Sequence, residues 1–316
     1  MKLIYSLLFT IAGFSSNQSN AEKIGSYSCL GGWANCRPVI VEFEHRKAQE
    51  SKSKSRTLIF SHGSGGVDTS VSYQEAYWRE RGYDTLVLYH WRSRGIQSTH
   101  FDYAKASLEG ANSRSQAVDV YAAIQWLESQ GVQPKDIGVI GFSQGAIVGH
   151  WMDSPEFRRA VASRWLGYST NPAFVIGLYG CSGEFNRNFT TSLLPFYIVI
   201  GDKDYLFDGC VMYRDLKTRI NPNTSLHVLR GQYHTFDADY SARWFPNQNT
   251  GKCFAILDSQ QRFSLPLLSE ISQDRVPSAH AERLKLCATN GETAGHSGDR
   301  SIGQPVIQSI LEYHWK

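Results

Sequence analysis

Ser143 lies between two glycines in the stretch 141–145, GFSQG, which fits the pattern G-x-S-x-G. The apolar stretch 137–140 before it predicts a short buried strand, and 146–152 after it predicts the start of a helix. A serine on such a sharp turn has a strained backbone, and glycines flank it because a Cβ would collide with the turn. The same pattern also fits an ordinary glycine-rich turn. The hypothesis of a serine nucleophile therefore depends on the groups available to activate it.

A serine hydroxyl needs a histidine to take its proton and a carboxylate to orient that histidine. One predicted strand is followed by Asp202 and Asp204, and the last predicted strand is followed by His234. The order serine, acid, histidine is typical of serine hydrolases built on a parallel sheet. We therefore predict that Ser143 and His234 act with one of the two aspartates. Weaker candidates for the base are His62 in the loop after another strand, His100 in a polar loop, and His150 in the helix after the serine.

Acyl transfer also needs N–H donors for the oxyanion that develops on the substrate. The stretch 62–66, HGSGG, directly follows a predicted strand at 57–60. Its glycines allow backbone N–H groups to approach a ligand closely. We predict that the N–H groups of Ser64 and Gln144 form the oxyanion hole.

These loops require strands that alternate with helices. Strands are predicted at 39–43, 57–60, 85–89, 137–140, 173–178, 195–200 and 225–229, and helices at 71–81, 114–129, 146–152 and 302–313. This alternation predicts an α/β fold, with a doubly wound, mainly parallel sheet and helices on both faces. Residues 238–300 depart from it, since they are rich in Asn, Gln, Ser and Gly and show little periodicity. We predict that they form an insertion at the C-terminal edge of a single domain, residues 22–316.

The chain has six cysteines, none of which has the spacing of a zinc site. An even number favours disulfides over free thiols if the chain is exported, as its N-terminus predicts. Cys181 and Cys210 follow neighbouring predicted strands, so their ends should be close together. The predicted pairs are Cys29–Cys36, Cys181–Cys210 and Cys253–Cys287, the last of which would hold the insertion.

The N-terminus predicts export. Lys2 precedes an apolar stretch at 3–14, and Ser19 and Ala21 supply small residues at positions −3 and −1 of a cleavage site. The apolar stretch is too short to span a bilayer. We predict a signal peptide, residues 1–21, and a secreted or periplasmic mature protein without stable membrane insertion.

Composition narrows the possible functions. The chain has 316 residues, of which 41% are hydrophobic, enough for a sizeable core. The formal net charge is only +3, and the basic residues are scattered among acidic ones. No basic stripe with interleaved aromatics occurs, so nothing favours nucleic-acid binding.

Five stretches together resemble the α/β-hydrolase superfamily, and within it the dienelactone-hydrolase-like branch. They are 62–66, 78–83, 141–145, 201–204 and 233–236. The likeness covers about residues 55–240 and the closing helix. Dienelactone hydrolase itself has a cysteine nucleophile, whereas this chain has Ser143. The resemblance implies an α/β-hydrolase fold.

The resemblance also distinguishes the two aspartates. In the family pattern the acid is the last residue of G-x-x-D, which is Asp204 here. One extra turn residue also lets this carboxylate reach back over the sheet edge towards His234. Asp202 is expected to cap the loop through its own backbone.

The predicted function is a serine hydrolase that cleaves a carboxylic ester through an acyl-enzyme, with no metal or cofactor. Its substrate would be a small-molecule ester or the end of a polymer. An amidase, a peptidase or an acyltransferase could use the same triad, and a non-catalytic binding protein could use the same scaffold. The aromatic loop at 89–103 is expected to line the pocket. The oligomeric state stays open.

Overall fold

The computed structural model describes the central sheet, the helices around it and much of the predicted insertion. The described residues are 21–30, 35–96, 109–260, 262–268, 271, 276–278 and 280–316. The predicted signal peptide therefore lies outside the described residues, apart from residue 21. Within the described part of the chain, no helix has the length and apolar character needed to span a membrane.

The central sheet has eight strands. In chain order they are β1 (Glu22–Cys29), β2 (Cys36–Arg46), β3 (Thr57–Ser61), β4 (Asp84–Leu88), β5 (Ile137–Phe142), β6 (Phe174–Leu178), β8 (Phe196–Gly201) and β9 (Thr224–Leu229). Their order across the sheet is β1-β2-β4-β3-β5-β6-β8-β9. Strand β2 pairs antiparallel with both of its neighbours, β1 and β4, and the other pairs of the sheet are parallel. Strands β3 to β6 are buried along their whole length, as expected where helices cover both faces.

Helices cover both faces of this sheet. They are α1 (Thr69–Glu80), α2 (Ser113–Ser129), α3 (Val148–Met152), α4 (Pro155–Ala160), α5 (Phe207–Lys217) and α7 (Gln304–His314). A further helix, α6 (His280–Cys287), belongs to the insertion and packs with its residues. On one face, α2 to α5 pack through residues such as Tyr121, Phe157 and Tyr213. On the other, α1 and α7 pack through Trp78 and Ile310. The predicted doubly wound α/β fold is confirmed.

Strand β1 is an element that the sequence does not predict. Its inward-facing residues Ile24, Ser26 and Ser28 are buried, while Glu22 and Gly25 are exposed. Since two of these inward positions are serines, the strand lacks the alternation of apolar and polar residues that marks a half-buried strand.

The insertion, residues 238–300, contains regular structure. Strand β10 (Arg243–Asn249) pairs antiparallel with β13 (Thr289–Ala294). Strand β11 (Ala255–Leu257) pairs with β12 (Phe263–Ser264) and with β7 (Glu184–Asn186), which follows β6. The pairs β10–β13 and β7–β11 join segments that are distant along the chain, and periodicity along the chain does not reveal such pairs. The assignment of residues 22–316 to a single domain stays a prediction.

Candidate active site

Ser143 lies on the turn between β5 and a short helical segment, Ser143–Ile147, that continues into α3. Its φ is 49°, in the left-handed region that residues other than glycine rarely adopt. A Cβ at Gly141 would lie 2.3 Å from the carbonyl oxygen of Gly145, and a Cβ at Gly145 would lie 2.0 Å from that of Ser61. Close backbone packing therefore requires both glycines of the pattern.

Three predicted site residues meet at the carboxyl edge of the sheet. Ser143 Oγ lies 3.0 Å from His234 Nε2, and His234 Nδ1 lies 2.9 Å from Asp204 Oδ2. Asp204 is 4% exposed and His234 is 5% exposed, while Ser143 is half-buried. With the Nδ1–H donating to the carboxylate, Nε2 is free to accept the proton of the serine hydroxyl.

The loop after β8 gives its two aspartates different partners. Asp204 Oδ1 accepts a hydrogen bond from the N–H of Leu206 at 2.8 Å, and Oδ2 faces His234. Asp202 Oδ1 accepts a hydrogen bond from the N–H of Gly231 at 2.6 Å. The expectation that Asp202 caps its own loop is wrong. Its partner lies in the loop after β9, because the loops that follow these neighbouring strands lie side by side.

The insertion holds the backbone of His234. This residue forms a parallel bridge with Ala294, and its carbonyl oxygen accepts a hydrogen bond from the N–H of Gly295 at 2.7 Å. Close by, Gln232 Nε2 donates to Ser297 Oγ at 2.9 Å. The end of β13 and the residues just after it therefore support the loop that carries the base. Sequence reasoning missed this contact, since no pattern in 238–300 identifies a partner for that loop.

Three carboxylates act on His234. Burial lowers its pKa, but the adjacent Asp204, assisted by Glu292 and Asp237, outweighs burial and raises the pKa above the ordinary value. For Asp237, burial raises the pKa to about 6. The ring of Tyr179 packs edge-on against His234, with centroids 5.1 Å apart. This environment favours the imidazolium that forms when the histidine takes a proton.

The predicted oxyanion residues lie beside the serine. A Cβ at Gly63 would lie 3.1 Å from the Cβ of Ser143, so the two segments are in close contact. A hydrogen bond of 3.2 Å from the N–H of Gly66 to the carbonyl oxygen of Gly63 closes the turn. Ser64 and Gln144 line the same cavity as Ser143. Gln144 is the second residue of a helical segment, where N–H groups have no partner within the segment.

Ser143 and His234 open into a cavity of about 1200 Å³. Part of its wall comes from the core and the segment after β6, including Trp151 and Phe189. The facing part comes from the insertion, including Phe245. Other aromatic and charged lining residues include Arg114, Glu156, Glu184, Phe185, Tyr240, Phe254, Arg283 and Glu292.

The expectation that the loop at 89–103 lines the pocket is wrong for residues 89–96, which are not among the lining residues. Trp91 is 1% exposed, and its ring packs against that of His62 with centroids 5.2 Å apart. This aromatic side chain therefore contributes to internal packing. Residues 97–103 lie outside the described residues.

The rival histidines have other partners. His62 Nδ1 lies 2.7 Å from the carbonyl oxygen of Gly63. His150 stacks on Phe189 with ring centroids 4.6 Å apart. His100 lies outside the described residues. Of the described candidates, the structure brings His234 to the serine.

The six cysteines meet in the predicted combinations. The S–S distances are 2.13 Å for Cys29–Cys36, 2.13 Å for Cys181–Cys210 and 2.07 Å for Cys253–Cys287. The second pair ties the segment after β6 to α5, and the third, within the insertion, ties the residues just before β11 to the end of α6. Among the described residues, no group of three or more His, Cys, Asp or Glu side chains is arranged to hold a metal ion.

Comparison with known proteins gives likenesses at low sequence identity. No family model and no curated protein matches the chain. An α/β serine hydrolase without lid from Xanthomonas campestris is 19% identical and covers 68% of this chain and 85% of its own, with a TM-score of 0.43. A thermophilic esterase from Thermogutta terrifontis is 15% identical, and the match covers 63% of this chain and 81% of the esterase, with a TM-score of 0.48. A dienelactone-hydrolase-like promiscuous phosphotriesterase from metagenomic libraries is 15% identical, and the match covers 69% of this chain and 84% of that protein, with a TM-score of 0.45.

The fold is decided by the chain's own topology, namely the strand order of the central sheet and the strained serine after β5. The chain has the α/β-hydrolase fold. The predicted resemblance to that superfamily is therefore confirmed at the level of the fold. The likenesses above, with TM-scores of 0.48 or less, carry no argument about the substrate.

Proposed function

We propose that the chain is a serine hydrolase that cleaves a carboxylic ester through an acyl-enzyme. The observation that carries the proposal is the hydrogen-bonded path from Ser143 through His234 to Asp204, at 3.0 and 2.9 Å, on the wall of a large cavity. A serine hydroxyl is a poor nucleophile until a base takes its proton. The path supplies that base and the carboxylate that orients it.

In the first half-reaction, Ser143 Oγ attacks the acyl carbon and its proton passes to His234 Nε2. A C–O bond forms and the carbonyl π electrons move to oxygen, which gives a tetrahedral oxyanion. The N–H groups of Ser64 and Gln144 are its proposed donors. When the carbonyl re-forms, the bond to the alcohol breaks and the alcohol oxygen takes the proton from His234. Asp204 stabilises the imidazolium without taking its proton.

In the second half-reaction, a water molecule replaces the alcohol. His234 Nε2 takes a proton from the water as its oxygen attacks the acyl carbon. The tetrahedral intermediate then collapses, the bond to Ser143 Oγ breaks, and the serine oxygen regains the proton from His234. The products are the carboxylic acid and the free enzyme.

The cavity supports a bulky substrate. Its volume of about 1200 Å³ exceeds the range of roughly 300–1000 Å³ that is usual for small-molecule pockets. Aromatic side chains such as Trp151, Phe189 and Phe245 contribute apolar surface on several sides. We propose an ester with a large apolar acyl or alcohol group, either as a small molecule or at the end of a polymer.

Export is part of the proposal. Every one of the six cysteines is paired, which supports an oxidising compartment. The N-terminal pattern with a cleavage site after Ala21 supports a signal peptide. We propose a secreted or periplasmic enzyme.

The test is turnover of p-nitrophenyl esters of rising acyl length, compared with matched p-nitroanilides. We expect ester hydrolysis, and we expect Ser143→Ala to be at least about 10³-fold slower with an unchanged melting temperature. Activity of Ser143→Ala within about tenfold of wild type would contradict the mechanism. Faster cleavage of anilides would favour an amidase, and preferred transfer to an added alcohol would favour an acyltransferase. A folded protein without any turnover would favour a binding protein.

A further inference from the structure

A second set of serine, histidine and aspartate side chains, joined by hydrogen bonds, lies beneath the proposed oxyanion loop. Ser61 Oγ lies 3.0 Å from His90 Nε2, and His90 Nδ1 lies 2.7 Å from Asp119 Oδ2. Each of these residues is 0% exposed, so no substrate can reach the serine. This group has the connectivity of a triad but cannot be a second active site.

The aspartate of this group is held by further donors. Arg94 donates to both carboxylate oxygens of Asp119, at 2.8 and 3.0 Å, and to the carbonyl oxygen of His90 at 2.9 Å. Ser26 Oγ, from the unpredicted strand β1, donates to Asp119 Oδ1 at 2.5 Å. The network thus connects β1, α2, the loop after β4 and the end of β3. A buried polar network with every member bonded in this way is rigid.

Charge within the network fixes the directions of its hydrogen bonds. For Asp119, burial raises the pKa, but Arg94 and His90 outweigh burial and lower it, so the carboxylate stays ionised. For His90, burial outweighs Asp119 and lowers the pKa, so the imidazole is neutral at neutral pH. The His90 Nδ1–H therefore donates to Asp119, and Nε2 accepts from the hydroxyl of Ser61.

Ser61 connects this hydrogen-bond network to the active site. It is the last residue of β3, and its carbonyl oxygen packs so closely on Gly145 that a Cβ there would lie 2.0 Å away. The next residue is held as well, since Gln116 Nε2 donates to the carbonyl oxygen of His62 at 2.7 Å. The chain then reaches Gly63, which lies so close to the serine turn that a Cβ there would be 3.1 Å from the Cβ of Ser143. The oxyanion loop thus begins at a residue fixed on one side by His90 and on the other by the serine turn.

We propose that Ser61, His90, Asp119 and Arg94 set the distance between the oxyanion loop and the nucleophile, and that Ser61 and His90 are positioning residues for the reaction. The proposal rests on the proposed function, because the position of this loop matters only if an oxyanion forms. Oxyanion donors act more strongly on the transition state than on bound substrate. Loss of the network should therefore lower kcat and leave KM unchanged.

The test compares Ser61→Ala with Tyr121→Phe. Each removes one buried hydroxyl. Tyr121 lies on the same helix as Asp119, but its hydroxyl bonds to Asn171 at 2.8 Å and to the carbonyl oxygen of Met152, at the far end of α3, at 3.2 Å, away from the loop. We expect Ser61→Ala to lower kcat by roughly 10- to 100-fold with KM within about twofold of wild type. The inhibition constant of a boronic acid, which mimics the tetrahedral intermediate, should rise in parallel. Tyr121→Phe should keep both values within about twofold of wild type, whatever its melting temperature.

A second variant, Arg94→Lys, tests the network without changing Ser61. Arg94→Lys keeps a positive charge beside Asp119 but loses the bidentate pairing, so kcat should fall in the same direction by a smaller factor. Equal kcat and equal boronic acid inhibition in wild type, Ser61→Ala and Arg94→Lys would overturn the proposal. A parallel change in KM and kcat in Ser61→Ala would also overturn it. Failure of the proposed function is distinguishable, since the wild-type protein would then show no esterase activity.

Discussion

At position 204 the carboxylate reaches the histidine, and at position 202 it braces the neighbouring loop. Asparagine at position 204 loses the charge opposite the imidazolium and presents an amide that favours the wrong tautomer. We predict that Asp204→Asn lowers kcat by about 10⁴-fold with little change in melting temperature. Asp202→Asn keeps an oxygen acceptor for the N–H of Gly231, so its kcat should stay within about tenfold of wild type. Steady-state kinetics of the two variants measure this difference in kcat. A larger loss in Asp202→Asn than in Asp204→Asn would mean that Asp202 is the acid.

The charges that face His234 predict the pH dependence of activity. The base must be neutral to take the proton of Ser143, so kcat/KM falls as the pH drops through the pKa of His234. Asp204, Glu292 and Asp237 raise that pKa against the effect of burial. The acid limb should therefore lie above about pH 6.5, the ordinary value for histidine.

Glu292→Gln tests this argument because it removes one of these negative charges at nearly constant shape. We predict that its acid limb moves to lower pH than in wild type. Glu156→Gln is the matched control, since Glu156 lines the same cavity but is not among the groups that act on His234. An unshifted limb in Glu292→Gln, or an equal shift in both variants, would contradict the electrostatic account.

Among the elements, β13 connects the insertion to the catalytic histidine. Its last residue pairs with His234, and its first follows α6, which ends at the disulfide-bonded Cys287. The partner cysteine, Cys253, lies two residues after Gly251, where a Cβ would meet the carbonyl oxygen of Tyr205 at 2.1 Å. The disulfide therefore joins the support of the base to the loop that follows the acid.

We predict that the double variant Cys253→Ser/Cys287→Ser folds but loses activity. Loss of a native disulfide costs about 2–5 kcal/mol, and a displacement of about 1 Å at the base would cost up to roughly 100-fold in kcat. Cys29→Ser/Cys36→Ser is the control, because this pair closes a short loop between β1 and β2. Both variants are to be assayed well below their melting temperatures. An unchanged kcat in Cys253→Ser/Cys287→Ser would show that the disulfide does not position His234 through β13.

The elements also show where prediction from sequence works. Strands β3, β5 and β8 could be predicted because each is a short, largely apolar stretch that ends in a loop of glycine or polar residues. Since the carboxyl ends of parallel strands lie at the same edge of the sheet, the loops that follow them could be predicted to converge. Strand β1 escaped prediction because its buried serines bond to other polar groups, as Ser26 does to Asp119. Strand β13 escaped because its partners are distant along the chain.

At the scale of the whole molecule, the cavity lies between the sheet edge and the insertion. Sequence reasoning could identify the first of these walls, because Ser143, His234 and the oxyanion loop all follow core strands. It could not identify the second, because the sequence around an aromatic residue does not show whether its side chain will line a cavity or pack in the interior. Trp91 fills an internal space, whereas Phe245 faces the cavity. Only packing separates the two cases.

Covalent labelling with a fluorophosphonate, located by mass spectrometry of proteolytic peptides, tests directly whether Ser143 is the nucleophile. We expect one phosphonyl adduct on Ser143 in the wild-type protein. We also expect no adduct in Ser143→Ala, and labelling slowed by at least about 100-fold in His234→Ala, which has lost the base. A folded wild-type protein that stays unlabelled, or that carries its adduct on another residue, would contradict the account.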